Sequence, residues 1–209
     1  MSNKDYSQVV DDTAIEKTIT ALKQNGFEVQ LVPNLAAAKE AALKLIPKGA
    51  EVFAVTSKTL DAVGLRDVID ESGEYTSVRK ELTELGEHEN SEREKKRLGS
   101  APDYVIGSAH ALTQDGKIMV ASGTGSQLAS EVYGADHVIY VVGAQKIVAD
   151  MQEGLKRLET YTMPLESKRL QEVYNNKDAQ TTFSRLMVYN VNTYERDVQV
   201  IIIKENVGF

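Results

Sequence analysis

Three short segments gather the hydroxyl, amide and glycine residues with which proteins hold a small anion. They are Thr56-Ser57-Lys58-Thr59, Gly107-Ser108-Ala109-His110 and Ser122-Gly123-Thr124-Gly125-Ser126-Gln127. Backbone N–H groups approach a phosphate or carboxylate closely only where side chains are small, and a helix start adds a partial positive charge. Lys58 would add a full charge. Any one of these segments reads as readily as a turn or a cap. Three of them, each following an apolar run or turn, point to one pocket, because open α/β sheets bind ligands at the carboxyl ends of their strands. The candidate ligand-binding residues are therefore Thr56, Ser57, Lys58, Thr59, Gly107, Ser108, Gly123, Thr124, Gly125, Ser126 and Gln127. A bulky residue at Gly125 is expected to abolish binding, because a Cβ there would fill the anion seat. Lys146 follows the apolar run His137–Val142 and either reaches the same anion or caps the sheet edge.

The chain has three histidines, His88, His110 and His137. None is spaced from another as metal-ligand pairs are, so a histidine metal site is not expected. His88 falls in a charged stretch and reads as exposed, and His137 opens an apolar run and reads as structural. His110 lies in a candidate loop and is the preferred acid/base or hydrogen-bonding group, with a structural role as the alternative. Ser57, Ser108 and Ser126 are conceivable nucleophiles, but none sits in a G-x-S-x-G elbow. Glu81, Glu84, Glu87 and Glu89 read as a solvated face, and no carboxylate nucleophile stands out. The stretch SGTGSQ lacks the G-x-G-x-x-G spacing of dinucleotide sites and the Gly-Lys-Ser/Thr of a P-loop, which argues against NAD and ATP.

Hydrophobic residues make up 42% of the 209 residues, charged residues 26%, and the net charge is −7. An acidic surface is a poor partner for nucleic acid or anionic membrane. The densest basic run, Arg93–Arg97, is diluted by neighbouring acids and reads as a solvated helix face. The sequence has no cysteine. This removes disulfides, thiol nucleophiles and cysteine-ligated clusters held by this chain alone. The start of the chain has no apolar signal core and no apolar run reaches about 18 residues, so a cytoplasmic location is expected.

These residues need elements to position them. Ile15, Ile19 and Leu22 recur at helical spacing before Asn25-Gly26, so an N-terminal helix of about residues 8–25 is expected to pack on the rest. Phe27–Val32 reads as a strand. Asn34 caps a helix carrying Leu35, Ala38, Ala42 and Leu45, and Glu51–Val55 is a second strand. Strand, helix and strand of this length make a parallel crossover unit. Asp103–Ile106 and His137–Val142 read as further strands, the latter apolar on both faces. Asp115-Gly116 is a tight turn between Ala111-Leu112 and Ile118–Val120. Val148, Met151, Leu155 and Leu158 form the next helix face. Residues 175–182 read as a loop. Leu186–Val191 and Val198–Ile203 read as an antiparallel hairpin. The expected fold is α/β, a mostly parallel sheet with helices on both faces plus a C-terminal antiparallel hairpin.

The text DYVIGSAHALTQDGKIMVASGTGSQL, followed by HVIYVVGAQKIV, resembles the core of LUD (lactate-utilisation) domains. The resemblance extends upstream through SKTLDAVGLRDVIDESGEY and RLGSAPDYVIGS, ends at VIIIKENVGF, and covers roughly residues 10–209. It implies one LUD-type domain over residues 1–209, with the fold of ribose-phosphate isomerase, glucosamine-phosphate deaminase and CoA transferases. Some members belong to an iron–sulfur machinery that oxidises lactate to pyruvate, and others stand alone. Some also carry a cysteine-rich segment near the C-terminal hairpin. The matching stretch here, NNKDAQTTFSRL, has none, so no cofactor is expected in this chain and an iron–sulfur cluster would come only through a partner. Three readings follow. The first is a non-redox accessory or ligand-binding component of lactate utilisation, with a small carboxylate or phosphate ligand and an iron–sulfur partner. The second is a stand-alone enzyme on a sugar-phosphate, folate or acyl-CoA-like substrate. The third is an interaction module without catalysis. A homodimer is compatible with the fold.

Overall fold

A computed structural model describes residues 4–87, 91–193 and 196–209. His88 and Glu89 lie outside the described residues. Helix α1 spans Asp12–Gln24, and the Asp11 carboxylate accepts from Ala14 N to cap it. It buries Ile15, Thr18 and Leu22. Strand β1 (Glu28–Val32) leads to α2 (Leu35–Lys44), capped by Asn34 as its sequence requires. Then come β2 (Glu51–Ala54), α3 (Lys58–Val63), α4 (Leu65–Glu71), β3 (Thr76–Ser77), α5 (Val78–Glu84) and α6 (Ser91–Ser100). The chain continues through β4 (Tyr104–Gly107), β5 (Ala111–Thr113), β6 (Ile118–Ser122), α7 (Ser126–Ala129) and β7 (His137–Gly143). The last elements are β8 (Ile147–Val148), α8 (Met151–Arg157), α9 (Met163–Val173), β9 (Arg185–Tyr189) and β10 (Asp197–Ile203). Wide helical turns at Ser130–Gly134 and Leu158–Thr162 extend α7 and α8.

Six strands form a wholly parallel sheet in the order β1-β10-β7-β4-β2-β3. Its middle strand β7 faces two cores. Val138, Tyr140 and Val142 enter one cluster, while Ile139 and Val141 enter the other. That two-sided burial accounts for the unbroken apolar run HVIYVV. The crossover unit predicted around α2 is parallel, but β10, β7 and β4 lie between its two strands.

A second, mixed sheet has the order β8-β5-β6-β9. The Asp115-Gly116 turn joins β5 to β6, with Gly116 at φ +82°. A Cβ there would sit 2.6 Å from the Ala21 carbonyl, so glycine also lets α1 close on the turn. The helix face read across Val148–Leu158 begins later than expected. Val148 belongs to β8, and Met151 is exposed.

The antiparallel hairpin expected from Leu186–Val191 and Val198–Ile203 is not formed. β9 pairs antiparallel with β6, whereas β10 inserts between β1 and β7 of the parallel sheet. Burial is the reason. Val198, Val200 and Ile202 of β10 fill one core and Ile201 and Ile203 the other, so both faces need cover. β9 is only half-buried, as an edge strand of the second sheet should be.

Candidate functional site

Three strands that stand side by side, β7, β4 and β2, end on the same cavity of about 440 Å³. After β2 the chain supplies Thr56, Ser57 and Lys58. After β4 it supplies Ser108 and His110, and after β7 it supplies Lys146. The turn after β6 adds Gly123, Thr124, Ser126 and Gln127. Thr59 lies beneath the cavity and is bonded to its lining. Gly107 and Gly125 are not in the lining. A Cβ on Gly107 would press within 2.9 Å of Val55 and 3.1 Å of Glu131 Oε1. A Cβ on Gly125 (φ +81°) would strike Arg185 Cδ at 2.6 Å rather than fill a ligand seat. This corrects the physical reason for glycine at Gly125. Arg185 Nη1 donates to the Gly123 carbonyl at 2.8 Å, so bulk at Gly125 would disturb the turn from behind.

Lys146 ends a short helical turn, Ala144–Lys146, and is 2% exposed. Its Nζ donates to Thr59 Oγ1 at 3.0 Å and to Ser108 Oγ at 3.1 Å. Thr59 Oγ1 in turn donates to the Val207 carbonyl at 3.3 Å, so its lone pairs face the lysine. Gln145 Nε2 holds the same tail at the Val207 carbonyl (2.9 Å). Burial, reinforced by the Arg157 charge, lowers the Lys146 pKa well below that of a free lysine. Among the described residues no carboxylate pairs with it.

His110 Nδ1 accepts from Ala121 N at 3.2 Å. That bond assigns the proton of the neutral ring to Nε2. Burial first, then the Lys146 and Arg157 charges, pushes the pKa down to about 3. His110 is therefore a neutral N–H donor at physiological pH. Its carbonyl accepts from Arg157 Nη1 at 2.6 Å. Arg157 is fully buried, with Nε and Nη2 unpartnered, and burial lowers its pKa to about 10. His137 stands at the opposite end of its strand, stacked on Tyr104 with Nδ1 2.7 Å from Asp197 Oδ2.

Glu131 was not singled out in the sequence. It lies in the wide turn Ser130–Gly134, is 1% exposed, and lines the cavity. Neither of its carboxyl oxygens completes a hydrogen bond, and the nearby Tyr140 hydroxyl is likewise unpartnered. Burial pushes its pKa up to about 8, against the Tyr140 hydroxyl and the Arg196 cation, which pull it down. Arg196 fixes this turn by donating to the carbonyls of Ser130, Glu131 and Ala135. The only hint in the sequence is a lone acid among small and apolar residues in LASEVYG.

The mouth is built differently. Arg66 Nη1 donates to Asp61 Oδ1 at 2.7 Å, and Arg169 forks onto Glu166 at 2.7 and 2.6 Å. Lys58 is exposed and forms no ion pair among the described residues. Thr181, Thr182 and Phe183 close the remaining side from the loop before β9. Arg79 buttresses the β2 end by donating to the Ala54 carbonyl (2.7 Å) and Thr56 Oγ1 (3.2 Å).

The profile of the LUD domain matches residues 15–203. This chain belongs to the LUD domain family. Among solved structures, the crystal structure of a DUF162 family protein from Deinococcus radiodurans superposes with a TM-score of 0.58 at 14% identity. The match covers 94% of this chain and 99% of that one, and it establishes the shared α/β fold. No curated protein matches the chain. Among the described residues of this LUD domain no helix is long and apolar enough to cross a membrane.

Proposed function

We propose that this LUD domain is the carboxylate-binding, non-redox component of a lactate-utilisation system. Its ligand is a short 2-hydroxy or 2-oxo acid. The observation that carries the reading is the pairing of a cationic mouth with an uncharged donor floor in one cavity. Lys58 at the mouth attracts the carboxylate. The His110 Nε2–H offers a hydrogen bond to an oxygen on the neighbouring carbon, and Lys146 and Ser108 line the same floor. The cavity, about 440 Å³, has space for a second reactant beside so small an acid. An iron–sulfur cluster does not fit this chain's own side chains. There is no cysteine, and among the described residues no group of three or more His, Asp or Glu could hold a metal ion. The electron carrier of such a system would belong to a partner protein.

Thermal shift and calorimetry with lactate, pyruvate, sugar phosphates, folates and CoA esters test this. Binding to the native state alone raises apparent stability as RT ln(1 + [L]/Kd). Lactate or pyruvate is expected to stabilise the chain, and Lys58→Met to weaken that effect. Stabilisation by a sugar phosphate, folate or CoA ester alone would replace the proposal with a stand-alone enzyme. Glu131 favours that second reading, because a buried carboxyl titrating near neutrality is suited to general acid–base work.

A further inference from the structure

We infer that Lys146 is a nucleophile that condenses with the carbonyl of a 2-oxo acid in the cavity, forming an imine. The inference rests on the carboxylate-binding reading above and names the ligand's reactive group. Its basis is the hydrogen-bond geometry around Nζ. A neutral amine has two hydrogens and one lone pair. Thr59 Oγ1 donates its own hydrogen to the Val207 carbonyl at 3.3 Å, so it must accept from Lys146. Ser108 Oγ has its hydrogen directed to the Ala109 carbonyl or to Thr59 Oγ1, both at 3.3 Å, so it too accepts from Lys146. Both N–H groups are thus spent on the protein. The lone pair is the one valence left for the cavity that Lys146 lines. No carboxylate among the described residues pairs with the amine and would hold it protonated. The depressed pKa agrees with this arrangement.

The steps balance without any oxidant or reductant. The nitrogen lone pair attacks C2 of the oxo acid, and the C=O π electrons move to oxygen. That oxygen gains a proton and the nitrogen loses one, giving a carbinolamine. The hydroxyl then leaves as water after protonation, and the nitrogen lone pair closes the C=N bond. One amine and one carbonyl give one imine and one water. Glu131 is the acid suited to the dehydration. Its buried carboxyl lines the same cavity, with Oε1 3.1 Å from where a Cβ on Gly107, the residue before Ser108, would sit. The proton released by the amine restores it.

Pyruvate with cyanoborohydride at pH 7, followed by peptide mapping of the whole chain, tests the inference. Reduction fixes the imine as a secondary amine on the lysine that formed it. Each unit by which a lysine pKa falls raises its neutral fraction about tenfold. Lys146 is therefore expected to be labelled at least about tenfold faster than exposed Lys48, whose pKa is raised by Glu74. Labelling of Lys146 should saturate with pyruvate and vanish in Lys146→Arg. Pyruvate binding by calorimetry without label on Lys146 would overturn the imine and leave the binding reading intact. Neither binding nor label would overturn both. Label spread evenly over exposed lysines would also overturn the imine. Because the wild-type map decides, a poorly folded Lys146→Arg does not blunt the test.

Discussion

The floor and the mouth of the cavity handle ionisable side chains in opposite ways. At the mouth, Arg66 meets Asp61 and Arg169 meets Glu166, each pair in contact with water. At the floor, Lys146, His110 and Glu131 line the same cavity, and none of them forms a salt bridge among the described residues. Burial pushes the amine and imidazole down and the carboxyl up, so all three move toward their uncharged forms at neutral pH. Side chains of the same chemical types thus serve as charges outside and as neutral donors, acids or nucleophiles inside. A floor of this kind lowers stability, and its value must come from what it binds or does.

That contrast can be broken, starting with its largest effect. Glu131→Gln keeps the shape and removes the titration. The raised pKa contributes stability that is complete below about pH 4.5 and is lost as pH rises through about 8. The variant should therefore match the wild type at pH 5 and exceed it by on the order of 3 kcal/mol at pH 9, measured by urea unfolding. Parallel pH profiles would refute the buried acid. His110 acts in the other direction. Its lowered pKa gives stability present above about pH 6.5 and lost as pH falls toward about 3, so His110→Gln should flatten the acid limb.

Lys146→Met is the next in size. Replacing a buried ionisable group by an apolar one of similar volume is often neutral or stabilising by about 1–4 kcal/mol. The variant should melt higher than the wild type at pH 7, and the gain should shrink as pH rises toward the free-lysine range, where the wild type no longer bears the neutralisation cost. Its affinity for pyruvate, which has a carbonyl to condense, should fall, while its affinity for lactate, which has none, should hold. A lower melting point with unchanged pyruvate affinity would make the lysine a structural strut. Smallest is the mouth. A double-mutant cycle on Arg66 and Asp61 should give a coupling below about 1 kcal/mol that fades with salt. A coupling as large as the Glu131 effect would erase the distinction.

Local signals in the sequence located the loops but not all of their surroundings. The Asp115-Gly116 turn, the Asn34 cap and the apolar run of β7 each follow from a few adjacent residues, and the three glycine- and hydroxyl-rich segments do meet at one cavity. Strand partners are a different matter. β9 and β10 are neighbours along the chain, but their pairing depends on which faces distant elements leave uncovered. The four-apolar run VIII in β10 was the available sign of a strand covered on both sides. Glu131 and Arg157 were illegible for a related reason. Their polarity reads as solvent exposure until the tertiary fold folds them inward.

The placement of β10 bears on how the molecule is made. Glu28 pairs with Gln199, and the same strand covers β7 on its other side. The heart of the sheet is therefore a slot filled from far along the chain. Closing so distant a pairing is entropically slow, and the elements between cannot complete a core before it happens. Assembly should be concerted, with few partly built forms. A chain cut in the 190–193 segment should be inert as separate pieces and regain its cavity only when the β10 fragment is added back, which makes this strand a natural seam for a split reporter.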